Sequence, residues 1–176
     1  GRRLPIFRNS NKLDASAADS DSLLVTWTAD LSPIYYQLLS FGSDEADSLA
    51  GIQGARTLYY SDRDSIFDWG VWMNGPAIGG WNARGAWGAG LRADSLAKMH
   101  DDGTHGDATA GDSIYTVQFK YQKNSTDIGM EFKFGVNAED NESGFGLNHI
   151  ENIDVNSPTV SSQFGSINPN RYNAWN

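Results

Sequence analysis

Apolar and polar residues alternate along this chain in short runs, and the runs predict strands rather than helices. Residues 23–30 (LLVTWTAD) alternate and are rich in β formers. In residues 113–121, Ile114, Thr116 and Gln118 fall on one face, and Tyr115, Val117 and Phe119 on the other. Residues 129–136 follow after a polar turn and are predicted to pair as the next strand. The runs 56–61, 66–73, 150–155 and 159–164 complete the predicted set. Residues 33–41 (PIYYQLLSF) are apolar without a clear period and read as a strand or a short helix. Residues 44–54 are small and polar, with room for one helical turn.

Three loops between these runs are unusually rich in glycine and acidic or amide residues. Residues 74–92 space Trp81 and Trp87 with glycines, which mark sharp turns or close backbone approach. Residues 100–112 alternate Asp101, Asp102, Asp107 and Asp112 with Gly103, Gly106 and Gly111. Residues 137–148 (NAEDNESGFGLN) repeat the theme. At the front, residues 1–22 carry Leu4, Ile6 and Phe7 before a polar stretch that cannot bury itself. The end, INPNRYNAWN, is polar apart from Ile167 and two aromatics, Tyr172 and Trp175. Both ends read as extended segments. Either they are flexible, or they dock on a neighbouring subunit by adding a strand to a sheet edge or filling a groove.

Composition narrows the class. The 176 residues suit one domain with a sizeable core. Six Trp, seven Tyr and eight Phe exclude a disordered chain. The net charge of −9 argues against nucleic acid and anionic membrane as partners, since both need a basic patch. With no cysteine there is no disulfide, thiolate nucleophile or zinc–thiolate centre. No run reaches membrane length. The start at Gly1 reads as that of a mature exported chain, so a secreted, extracellular or cell-surface location is expected.

Four kinds of chemistry are candidates. Asp101, Asp102, Asp107 and Asp112 offer carboxylates to a calcium ion, in a spacing that is not the EF-hand pattern; the alternative is that they cap turns. His100 and His105 beside them suggest a transition metal, or are simply solvated. Trp81, Trp87 and Phe145 are candidate stacking platforms for sugar rings, or else lids on the core. Finally, the triplet Asp-Ser-Leu/Ile occurs five times, centred on Ser22, Ser48, Ser65, Ser95 and Ser113, where composition predicts about one. It resembles the D-[ST]-[AILMTV] acceptor for O-glycosylation of exported proteins in some Gram-negative bacteria, and repeated turn capping explains it equally. Asn124 and Asn141 fit the N-glycosylation acceptor, a weak motif. There is no G-x-S-x-G elbow, H-E-x-x-H or P-loop, so no enzymatic activity is expected. His149 and Glu151 alternate on a predicted strand and read as an exposed edge.

The loop D-D-G-x-x-G-D-x-x-x-G-D-x-x-Y (residues 101–115) resembles a loop of secreted bacterial β-sandwich domains. The run GMEFKFG (129–135) resembles a strand of carbohydrate-binding modules of the starch-binding, immunoglobulin-like type. The resemblance covers roughly residues 23–154. It implies an all-β, immunoglobulin-like β-sandwich over 23–164, with long Gly-rich loops, an extended arm over 1–22 and an extended tail over 165–176. Two functions are expected from this reading. The first is a structural subunit of a cell-surface or filamentous assembly. Its partners are copies of itself, gripped through Leu4, Ile6, Phe7, Tyr172 and Trp175, and its surface is glycosylated. The second is a non-catalytic carbohydrate-binding module using Trp81, Trp87 and Phe145.

Overall fold

A computed structural model describes residues 22–51, 54–122, 129–142 and 147–167. The subunit-contact candidates Leu4, Ile6, Phe7, Tyr172 and Trp175 lie outside the described residues, as do Phe145 and Asn124. The longest alternating runs form the longest strands. In β1 (Ser22–Asp30) the odd positions Leu23, Val25, Trp27 and Ala29 are buried and the even ones face outward. β1 is the middle of a three-stranded sheet. It pairs antiparallel with β5 (Ile114–Gln122), from Ser22 opposite Gln122 to Asp30 opposite Ile114. On its other side it runs parallel to β8 (Thr159–Gln163), from Thr26 opposite Thr159 to Asp30 opposite Gln163.

After β1 the chain turns. Asp30 Oδ1 accepts the N–H of Ser32, and Pro33 sits in the first turn of helix α1 (Ser32–Phe41), where its missing N–H costs nothing. Pro33, Ile34 and Leu38 are the buried face of α1, which resolves the strand-or-helix ambiguity of this segment. Two short strands follow, β2 (Ser48–Leu49) and β3 (Leu58–Tyr59), paired with each other. The segment 44–54 thus holds a turn, with Ala46 N bonded to Ser43 O, and in addition the unexpected strand β2.

Residues 66–73, expected as one strand, divide into two elements. Helix α2 (Ser65–Trp69) is stopped by Gly70, whose φ of +79° lies in the left-handed region, and β4 (Val71–Asn74) begins immediately after. All four residues of β4 are buried. A 3₁₀ turn (Pro76–Ile78) and the short helix α3 (Ala89–Arg92) lie in the glycine-rich loop that follows. β4 pairs antiparallel with β6 (Met130–Val136), and β6 with β7 (His149–Glu151), giving a second three-stranded sheet.

Residues 97–100 tie the two larger sheets together. On one side Met73 N donates to Ala97 O (3.1 Å) and Met99 N to Val71 O (2.8 Å). On the other, His100 and Thr116 exchange both backbone hydrogen bonds at 2.8 Å. The inward faces of the two sheets meet at Trp27, which lies edge-on to Phe132 with ring centroids 4.8 Å apart, and Phe132 packs on Phe134. The architecture is all-β: three sheets with a few short helices at their margins. Among the described residues no helix is long and apolar enough to cross a membrane.

Candidate functional site

The acidic loop between residues 97–100 and β5 is held at both ends. Its start is fixed by the His100–Thr116 bridge and its end by the first residue of β5. Asp101 closes it: its two oxygens accept the N–H groups of Gly111 (2.9 Å), Asp112 (3.2 Å) and Ser113 (2.9 Å). Asp107 accepts from Gly103 N (2.8 Å), and Asp112 from Ile114 N (2.9 Å). Asp102 accepts from both the N–H (3.0 Å) and the hydroxyl (2.5 Å) of Thr104. Every one of the four carboxylates therefore caps a turn.

Capping does not exhaust them. One oxygen from each of Asp101, Asp107 and Asp112 lies within 4.8 Å of the others, close enough to converge on one hard cation. Asp102 does not join this group. It groups instead with His100 and His105. Burial pushes the Asp101 carboxyl up, against the opposing pull of the Ser113 and Asp112 N–H groups. The hydroxyl and N–H of Thr104 hold Asp102 below the usual range. Burial, and the neighbouring His105, lower His100.

Trp81 and Trp87 come together across the glycine-rich loop, with ring centroids 6.3 Å apart and planes inclined by 37°. Both are half-buried. Trp87 packs against the core, and a Cβ on Gly135 would fall 2.6 Å from its ring and 2.2 Å from Glu139 O, so only glycine fits there. The pair presents two indoles side by side, partly as core lids and partly as surface.

The Asp-Ser-Leu/Ile triplets are turn devices at three of their sites. Asp47 accepts the N–H of Ser48, Asp94 those of Leu96 and Ala97, and Asp112 that of Ile114. Ser95 is exposed, whereas Ser22, Ser48, Ser65 and Ser113 are half-buried. Asn141 is buried, with its amide bonded to both backbone groups of Val136.

The sequence reading missed a second polar cluster. Glu142 has no exposed surface, yet its carboxylate accepts the N–H of Phe134 (2.6 Å) and of Gly165 (3.1 Å) and meets His149 Nε2 at 2.5 Å. His149 is buried and stacked on Phe132, with centroids 4.9 Å apart, whereas Glu151, on the same face of β7 at the strand's end, is exposed; the expected exposed edge does not include His149. On the opposite face of β6, Lys133 and Asp140 form a buried ion pair at 3.0 Å, only 4% and 7% exposed. These groups bond one another and the backbone, and tie β6, β7 and the turn after β8 into one unit.

No family model matches this chain, and no curated protein or solved structure matches it.

Proposed function

We propose that the chain is a structural subunit of an extracellular or cell-surface filamentous assembly, built on an immunoglobulin-like sandwich. It joins copies of itself through its N-terminal arm and the edges of its sheets. One observation carries this reading. Among the described residues β7 and β8 each have a single strand neighbour, and the β7 region is apolar outward: Ile150 is 64% exposed, Val155 56% and Leu147 41%. An edge with exposed apolar side chains is a template for another chain. β8 is the edge of the other sheet. Pro158 O and Phe164 N bond to β1, so by strand alternation the N–H of Ser161 points the other way.

The arm with Leu4, Ile6 and Phe7 is the complementary piece. Its apolar residues suit the edge, and strand addition needs no preformed pocket. Electron microscopy and sedimentation of the full chain test the reading. Polymers are expected, and deletion of residues 1–20, Ile150→Lys and Ser161→Pro should each abolish or shorten them. A chain that stays monomeric at high concentration, or polymers indifferent to all three changes, would sink the idea.

The Trp81–Trp87 pair favours a second reading, a non-catalytic carbohydrate-binding module. Two indoles 6.3 Å apart suit successive faces of a glycan chain, with Phe145 as a third platform. Affinity electrophoresis against a panel of polysaccharides distinguishes the two. Retardation lost in Trp81→Ala, with assembly intact, would put sugar binding first.

A further inference from the structure

We propose that His100, Asp102 and His105 form a site for a divalent transition-metal ion of the zinc, nickel or copper class. Its donors are distinct from the group formed by Asp101, Asp107 and Asp112. Donor atoms of these three side chains lie within 4.8 Å of one another. The two imidazoles are stacked, with centroids 3.7 Å apart and planes only 8° from parallel. Two nitrogens sharing one zinc at about 2.1 Å each can be no more than about 4.2 Å apart. The stack sets the two rings side by side at that spacing; because imidazole lone pairs lie in the ring planes, binding one ion requires one ring to turn out of the parallel stack so that both nitrogens face the ion.

The hydrogen bonds select which nitrogen is offered. Asp102 is a carboxylate and only accepts, so the Thr104 hydroxyl donates to its Oδ1 at 2.5 Å. The hydroxyl oxygen is then an acceptor for the Nδ1–H of His105 at 2.7 Å. That places the proton on Nδ1 and leaves the Nε2 lone pair of His105 for a metal. This is the outer support that orients metal-binding histidines, here a Thr hydroxyl backed by a carboxylate. The second oxygen of Asp102 lies 3.9 Å from His100 Nδ1, on the side of the second imidazole.

Both rings are placed by the backbone. His100 is fixed by its paired hydrogen bonds to Thr116. His105 takes a left-handed conformation, φ +56°, uncommon for a side-chain-bearing residue, and that turn lays its ring on His100. Two imidazoles and one carboxylate, with an open position, are a donor set for borderline divalent ions rather than for calcium.

The full, untagged chain suits a direct test, because it has no cysteine and its third histidine, His149, is buried against Glu142. Isothermal titration with zinc should show one ion bound per chain, and cobalt should give the visible spectrum of nitrogen and oxygen ligation. His105→Asn keeps a residue suited to the left-handed turn and should weaken zinc binding at least tenfold, as should His100→Gln. Thr104→Val should weaken it about tenfold through the lost orientation of His105. Asp107→Asn should leave it unchanged. The proposal fails if the chain binds no zinc at micromolar concentration. It fails equally if His105→Asn binds as tightly as the parent, or if the bound ion is lost in Asp107→Asn and kept in His105→Asn.

Discussion

Two acidic loops of similar composition do opposite things in this molecule. The loop at 100–113 lies largely at the surface, with Asp107 its one buried aspartate, and its carboxylates hold short local turns within their own segment. The loop at 137–142 folds inward, and its Asp140, Asn141 and Glu142 become part of the core around β6. Water can compensate a lost bond in the first. In the second, nothing replaces a lost partner, because the low-dielectric interior penalises any polar group left alone. A lost carboxylate should therefore cost little at the surface and much inside.

The sharpest way to break this contrast is Glu142→Leu. It strands the N–H groups of Phe134 and Gly165 and the ring of His149, and should destabilise the fold by about 3–5 kcal/mol in urea unfolding. A loss below about 1 kcal/mol would show that the inner loop is not under the stated constraint. Lys133→Met should cost about as much, because Asp140 is left as an unpaired buried charge. The double change Lys133→Met with Asp140→Leu should recover most of that loss. Recovery distinguishes an uncompensated charge from lost packing.

Smaller effects belong to the outer loop. If Asp101, Asp107 and Asp112 take calcium with the affinity of extracellular modules, 10 mM calcium should stabilise the chain by about 1.4–2.7 kcal/mol. Chelator should remove the gain, and Asp107→Asn should never show it. Asp101 also makes a pH prediction. Its folded carboxyl sits above the ordinary 3.8, so the folded chain holds this proton more tightly than the unfolded one. Its contribution to stability is complete below 3.8 and is lost as the pH rises through the raised folded value. Asp101→Asn should flatten that slope in thermal melts from pH 3 to 7, and calcium should flatten it too. An unchanged slope in the variant would contradict the assignment. The least effect is expected for Ser95→Ala, within about 0.5 kcal/mol, since the serine is exposed. Intact-mass measurement of the native protein, with and without this change, would report a glycan on Ser95.

Much of the sheet was legible in advance, because period-two alternation is a local property of the chain. It located β1, β5 and β6 to within a residue or so, and the capping role of the acidic loop followed from Asp and Gly chemistry alone. The misses have physical reasons. Gly70 interrupts an otherwise alternating run, and its positive φ lets α2 end and β4 begin within a single predicted strand. The four aspartates looked equivalent in sequence. Thr104 bonds Asp102, which groups with His100 and His105, while the turn at Gly111 brings Asp112 to Asp101 and Asp107.

By itself the sequence determined a β-rich, acidic, cysteine-free chain with a loop of alternating aspartates and glycines. It could do so because propensity, alternation and turn chemistry act over a few neighbouring residues. Only the tertiary structure decided that residues 97–100 would tie two sheets together and that Glu142, His149, Lys133 and Asp140 would go inside. A polar side chain is buried when distant backbone and side-chain partners arrive to satisfy it, and no local pattern records their arrival.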